Sequence, residues 1–320
     1  MNLYLGKGLS FARRTYTTLS FDKGAYDTGN GSFDFIGQRA SDIIKQKISN
    51  SDRLMVCRFG WVELNCLVAD RLRNRSFFKN SIDFIRGDIS SFWREKVYET
   101  MSNNAGFFPT NEENIKRFCD LMLKEMSLVD ILGSWRKEES IFSKELSGSI
   151  KIPISDLDPF KHADPWSEAL KDKIVFVIHP FEESINKQFK NREFLFNDKR
   201  ILPEFELKTL KAVQSIANNK TEFSDWFEAL DYMKEKISAT HFDVAIIGCG
   251  AYGFPLAAHV KRMGKKAIHL GGATQILFGI KGKRWESIEH VSKHINQYWT
   301  FPMAHEYPAN YKKVENGCYW

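Results

Sequence analysis

The chain has 320 residues, enough to bury a full core as one large or two modest domains. It is 43% hydrophobic and 27% charged, ordinary for a globular fold, and its net charge of +6 suits an anionic ligand or surface. No basic run is dense enough for nucleic acid, and the five scattered cysteines, with no C-x-x-C pair, argue against a disulfide scaffold or a zinc site and suit a reducing cytoplasm.

Residues 1–32 are polar and rich in Gly, Ser and Thr, and read as an irregular arm. Met1–Lys23 has no continuous apolar run of the signal-peptide type. The longest uncharged stretch, Val244–Val260, is broken by Gly-Cys-Gly and Pro255, so any membrane contact is expected to be peripheral, at the inner face. Phe33–Ser49 carries helical apolar spacing, and Arg53–Cys57 reads as a strand. Arg58-Phe-Gly-Trp-Val-Glu63 follows. An arginine at a strand end, a glycine and a glutamate in the first helical turn make a site edge. An Arg58–Glu63 ion pair at a helix N-terminus is the plain alternative.

Ser91–Met101 and Glu112–Glu125 read as helices, and Met126–Leu132 as a strand leading to Trp135. A short strand at Ile150–Ile154 precedes a Pro-punctuated loop with Asp156, Asp158 and Asp164, which read as turn residues or as metal ligands. Asp172–Ile178 is a buried strand, and His179 at its end is a candidate for ligand contact or proton transfer. Pro203–Ile216 has apolar residues at Phe205, Leu207, Leu210 and Val213 and reads as a helix. A further helix opens at Ser224-Asp225.

Val244–Ile247 is a β-branched strand. Gly248, Gly250 and Gly253 then spell G-x-G-x-x-G before a helix over Leu256–Arg262, and Lys266–Leu270 is the next strand. Free N–H groups and the helix dipole there favour phosphate. An NAD site places an acidic residue roughly 20 residues on, for the ribose. Here the second strand runs into His269-Leu-Gly-Gly-Ala-Thr-Gln275, with no acid, so another diphosphate is favoured. Lys281 and Arg284 follow, and the aromatic ending Val314–Trp320 is expected to pack on the body or on another subunit. Alternating strands and helices give an α/β, Rossmann-like fold with a mostly parallel sheet.

Several blocks together resemble the GT-D fold glycosyltransferases. Arg58-Phe-Gly60 with Glu63 resembles the Arg-Phe-Gly-Asp-Gly-Glu motif of that family. Val177-Ile-His-Pro-Phe181 with Gln188–Glu193, Ile201–Leu207 and the Asp243–Leu270 unit resemble further blocks. Gly271–Trp285 and Val314–Trp320 are similar to a branch associated with bacterial surface polysaccharide or glycoprotein glycan synthesis. The resemblance covers 33–320 as one GT-D-like domain, with a division into lobes, if there is one, at 33–170 and 171–320. It implies a cytoplasmic enzyme that moves a sugar from a nucleotide donor, usually UDP-linked, onto a glycan or lipid-linked acceptor.

On this reading Glu63 and His179 are catalytic. Arg58, Gly60, Gly248, Gly250, Tyr252, Gly253, Gly271, Gly272, Gln275, Lys281 and Arg284 bind the donor. In the founding branch an Asp-x-Glu pair holds Mn²⁺ or Mg²⁺. Here Trp61 stands at the Asp position and leaves Glu63 as the one matching metal ligand, so cationic side chains are expected to balance the diphosphate. A nucleotide-sugar-binding protein without catalysis and a Rossmann-type NAD(P) oxidoreductase are the alternatives. A homo-oligomer through the aromatic C-terminus is a further expectation.

Overall fold

Seven parallel strands form one sheet in the order β3-β2-β1-β7-β6-β4-β5, in a computed structural model that describes residues 3–19, 32–90 and 92–320. The strands are β1 (Leu54–Cys57), β2 (Ile131–Ser134), β3 (Ile150–Pro153), β4 (Ile174–His179), β5 (Glu206–Lys211), β6 (Val244–Ile247) and β7 (Lys266–His269). The long helices are α1 (Leu3–Leu19), α2 (Gln38–Asn50), α3 (Trp61–Arg71), α4 (Phe77–Arg86), α5 (Arg94–Ala105), α6 (Glu112–Met126), α7 (Glu182–Phe189), the short α8 (Arg192–Leu195), α9 (Trp226–Ser238) and α10 (Gly253–Arg262). The expected α/β, Rossmann-like architecture is present, and the sheet is parallel throughout.

Parallel strands are covered on both faces, so their residues are apolar on both sides. Met55, Cys57, Phe176, Ile178, Ala245, Ile247 and Ala267 enter one layer, with α3, α5, α6, α9 and α10. Their neighbours Leu54, Val56, Val175, Val177, Val244, Ile246 and Ile268 enter the other, with α2, α7 and the segment after β7. This is the period-two alternation of a strand, hidden in sequence because both sets are apolar. β1 and β7 are paired neighbours, yet the chain leaves β1 into the first layer and β7 into the second. Such a divergence opens a crevice at the carboxyl ends of the strands, where ligands sit in open α/β sheets.

Two sequence expectations need correction. Residues 3–19 are a helix, not an irregular arm; Leu9 packs on the core, and Arg13 lies 4.8 Å above the Phe84 ring. The rest of the expected arm falls largely outside the described residues. The segment 203–216 contains the strand β5 rather than a helix, paired along its length with β4. Leu207 faces one layer and Leu210 the other, so a half-buried edge strand produced the three-residue spacing of a helix.

The cap of α9 is as read. The Asp225 carboxylate accepts the Glu228 N–H at 2.8 Å, and Glu228 accepts the Ser224 N–H at 2.7 Å. Asp225→Ala should therefore cost about 1 kcal/mol, seen as a lower urea midpoint at unchanged slope. An unchanged midpoint would show that tertiary packing alone holds this end.

Candidate functional site

A cleft of about 830 Å³ lies at the carboxyl edge of the sheet, lined by residues that follow all seven strands. Of the expected site residues, Arg58, Gly60, Glu63, His179, Gly248, Gly250, Tyr252, Gly271, Gly272, Gln275 and Arg284 line it. Gly253 and Lys281 do not. Lys281 is drawn away by the bridge between Ile280 and Thr300, and its ammonium sits 4.8 Å above the Phe301 ring.

The three motif glycines do three different things. A Cβ on Gly248 would lie 2.6 Å from the Gly271 carbonyl oxygen and 2.5 Å from Thr274 Oγ1, so the loops after β6 and β7 touch through backbone. Gly253 is the packing glycine of the strand–helix turn, since a Cβ there would meet the His269 ring at 2.3 Å. Gly250 alone is exposed to the cleft, with φ of 58°, and a Cβ there would have the Ala105 oxygen as its nearest neighbour, at 3.4 Å. It opens a helical turn that runs on into α10, so its first N–H groups have no intrahelical acceptor. Of the three, Gly250 is therefore the one open to a ligand. The other two glycines hold the frame.

Arg58 leaves β1 into the cleft and lies 5.4 Å above the Trp135 ring. Among the described residues it makes no ion pair, and its Nε is buried without a hydrogen-bond partner. Burial pulls the guanidinium below its usual range, opposed by Tyr319 and Glu63, but an arginine stays charged at neutral pH. A desolvated cation without a close counter-ion is costly unless an anion joins it. The plain alternative, a direct Arg58–Glu63 ion pair, is not formed.

Glu63 is the third residue of α3 and folds back beneath Gly60. A Cβ on Gly60 would lie 1.8 Å from its carboxylate, so a larger residue there would displace the Glu63 side chain. Burial raises the Glu63 carboxyl above its ordinary range, with its own backbone N–H and Arg58 acting the other way. This is the condition of a group that can exchange a proton. Trp61 stands at the mouth, 38% exposed, and offers no oxygen ligand. Among the described residues no group of three or more His, Cys, Asp or Glu is arranged to hold a metal ion. Trp61 thus leaves Glu63 without the second carboxylate of the resembled motif.

His179 ends β4, buried, and its Nδ1 accepts the Phe181 N–H at 3.0 Å. That bond leaves the proton on Nε2, and burial pushes the imidazole down to about 3. His179 thus stands as a neutral imidazole that can donate from Nε2. His269, at the end of β7, is likewise pushed to about 3 by burial, with Arg58 adding to the effect. The Tyr252 hydroxyl is 3.0 Å from Ser215 Oγ, and its ring stacks on Trp226, so this residue is chiefly a wall.

The loop carboxylates divide. Asp156 accepts the Gly37 N–H and binds Lys161, and Asp164 binds Lys45, so both are structural. Asp158 lines the cleft and meets His290 at 3.1 Å. The aromatic ending packs on the body of its own chain. Trp320 touches Phe181, and Tyr319 lines the cleft, with its hydroxyl 2.8 Å from Arg284, whose other nitrogen pairs with Glu315.

Sequence reading missed Arg136, which follows β2 and is held by Glu138 and Ser90, and it missed Tyr319. A strand-end position signals the first. Nothing in the sequence places the second.

Four cleft-lining residues, Arg58, His269, Trp285 and Trp320, each have a buried nitrogen without a hydrogen-bond partner among the described residues. Three of the four nitrogens are donors. A wall with surplus donors fits a ligand rich in acceptors.

The histidine shifts predict acid behaviour. The unfolded chain takes up a proton near 6.5 that His179 and His269 refuse until about 3. Their contribution is full above 6.5 and is lost as pH falls towards 3, at up to about 1.4 kcal/mol per pH unit for each. His179→Gln should flatten the acid limb of stability against pH. An unchanged limb would mean that His179 protonates freely in the fold. Comparison with protein-family models, curated proteins and solved structures gives no match to this chain.

Proposed function

We propose that the cleft binds a nucleotide sugar and transfers its glycosyl group to a hydroxyl of a glycan or lipid-linked acceptor. The single observation that supports this most is Arg58, a partly buried guanidinium without an ion pair among the described residues, lining the same cleft as the helical turn that starts at Gly250. Diphosphate is the ligand that answers both. The missing acid after β7 weighs against NAD(P), and UDP is the nucleotide that the sequence resemblance suggests.

In this reading Arg58 and the N–H of Gly250 hold the diphosphate. Aromatic walls at Trp135, Trp285 and Tyr319 give stacking surface for base or sugar. Glu63 takes the proton of the acceptor hydroxyl as its oxygen attacks the anomeric carbon. The bond from that carbon to the diphosphate oxygen breaks, and the nucleoside diphosphate leaves with the electron pair. Neutral His179 donates a hydrogen bond from Nε2 to the bound donor. Arg58 and the helix N-terminus stabilise the leaving charge in place of a metal.

A thermal-shift titration tests the binding step. UDP-sugars should raise the melting temperature, equally with and without Mn²⁺. Arg58→Ala should weaken binding about ten- to hundredfold, the worth of a charged hydrogen bond. Protection by NAD(P)H but not by UDP-sugars would overturn the proposal.

Glu63→Gln separates catalysis from binding. Because burial raises its pKa, Glu63 stabilises the fold when protonated, and that contribution is lost as pH rises through the raised value. The glutamine variant should therefore melt higher than wild type at pH 7, bind donor normally, and lose transfer by about a hundredfold or more. Unimpaired transfer would remove Glu63 as the base, and donor binding without any transfer by wild type would favour a non-catalytic binding protein.

A further inference from the structure

We infer that the outer surface of α1 and α4 is a docking face for an anionic lipid bilayer. The inference stands apart from the ligand of the cleft. α1 contains no acidic residue. Its inner side is anchored by Leu9 on the core and by Arg13, which lies above Phe84 and donates to the Ile89 carbonyl at 3.1 Å. Its outer side presents Phe11, 72% exposed. Lys7 and Arg14 stand four residues before and three after it, on the same face of the helix. α1 packs against α4, whose first turn carries Phe77 and Phe78, 48% and 71% exposed, followed by Lys79 and Arg86.

The charges around these rings are of two kinds. Arg71, Arg73 and Arg75 are paired with Glu145, Glu112 and Asp83. Lys7, Arg14, Lys79 and Arg86 have no ion-pair partner among the described residues. Exposed phenyl rings flanked by unpaired cations are the chemistry of an interfacial helix: the rings enter the headgroup layer and the cations meet lipid phosphates. A second copy is a poorer occupant, because a two-fold contact would set the same unpaired cations against each other. Among the described residues no helix is long and apolar enough to cross a membrane, so the contact is peripheral.

The face also adjoins the cleft. Arg13 holds Ile89, and the next residue, Ser90, accepts from Arg136 on the cleft wall at 2.5 Å.

Vesicle flotation of the full chain tests the inference. The protein should float with phosphatidylcholine vesicles containing phosphatidylglycerol and not with phosphatidylcholine alone. Binding should fall about tenfold or more at about 0.5 M salt. The double substitution Lys7→Gln with Arg14→Gln should weaken it by about tenfold, and Phe11→Ser with Phe78→Ser should weaken it at either salt concentration. All four side chains are exposed, so the variants should keep the wild-type melting temperature. Absence of binding to the anionic vesicles, or equal binding to neutral ones, would overturn the inference. So would a dimer that the phenylalanine substitutions dissociate while vesicle binding stays the same.

Discussion

Two backbones meet at Gly248, and the cleft depends on that approach. The turn after β6 lies against the turn after β7 so closely that even a methyl group would strike the Gly271 oxygen. Packed interiors do not absorb such a collision, so the contact fixes the two loops as one unit. That unit presents Gly250 to the cleft on one side and sets Gly271 against Arg58 on the other, with 2.9 Å from Arg58 Nη1 to a Cβ at Gly271. Gly253 completes the frame by letting α10 settle onto His269. The glycine pattern is thus mainly a device for bringing three strand ends together, and it leaves one turn, at Gly250, exposed.

What is gathered there is electrostatically tense. Burial disfavours the charge on Arg58 and on Glu63 and keeps both histidines neutral. A fold selected for stability alone would replace such groups with apolar ones, because breaking or leaving open a buried charge costs on the order of a few kcal/mol. Concentrated at one sheet edge, the same groups supply a cation for an anion, a carboxylate ready to take a proton and a neutral donor. Structural carboxylates such as Asp156 and Asp164 lie nearby and show the contrast, since each is fully paired.

Much of this was legible in sequence, and the limits have physical causes. The unit from β6 to β7 was readable because a β-branched run, a glycine turn and an amphipathic helix each carry their own period. Convergence of Arg58, Glu63 and His179 was readable because each follows a strand, and parallel strands end at one edge. β5 was misread because it is a half-buried edge strand whose Leu207 and Leu210, three residues apart, pack on opposite layers and mimic helical spacing. Lys281 was misplaced because its direction is set by a bridge to Thr300, far along the chain. The helical nature of residues 3–19 was hidden by glycine and threonine, poor helix formers that packing against α4 overrides. Tyr319 enters the cleft only through the tertiary path of the last residues, which leaves no local trace.

The most direct measurement is a crystal structure with a UDP-sugar bound. The account requires the diphosphate within hydrogen-bonding distance of the Arg58 guanidinium and of the Gly250 N–H, with the anomeric carbon facing Glu63. A diphosphate bound away from Arg58, or a donor whose sugar points away from Glu63, would contradict it.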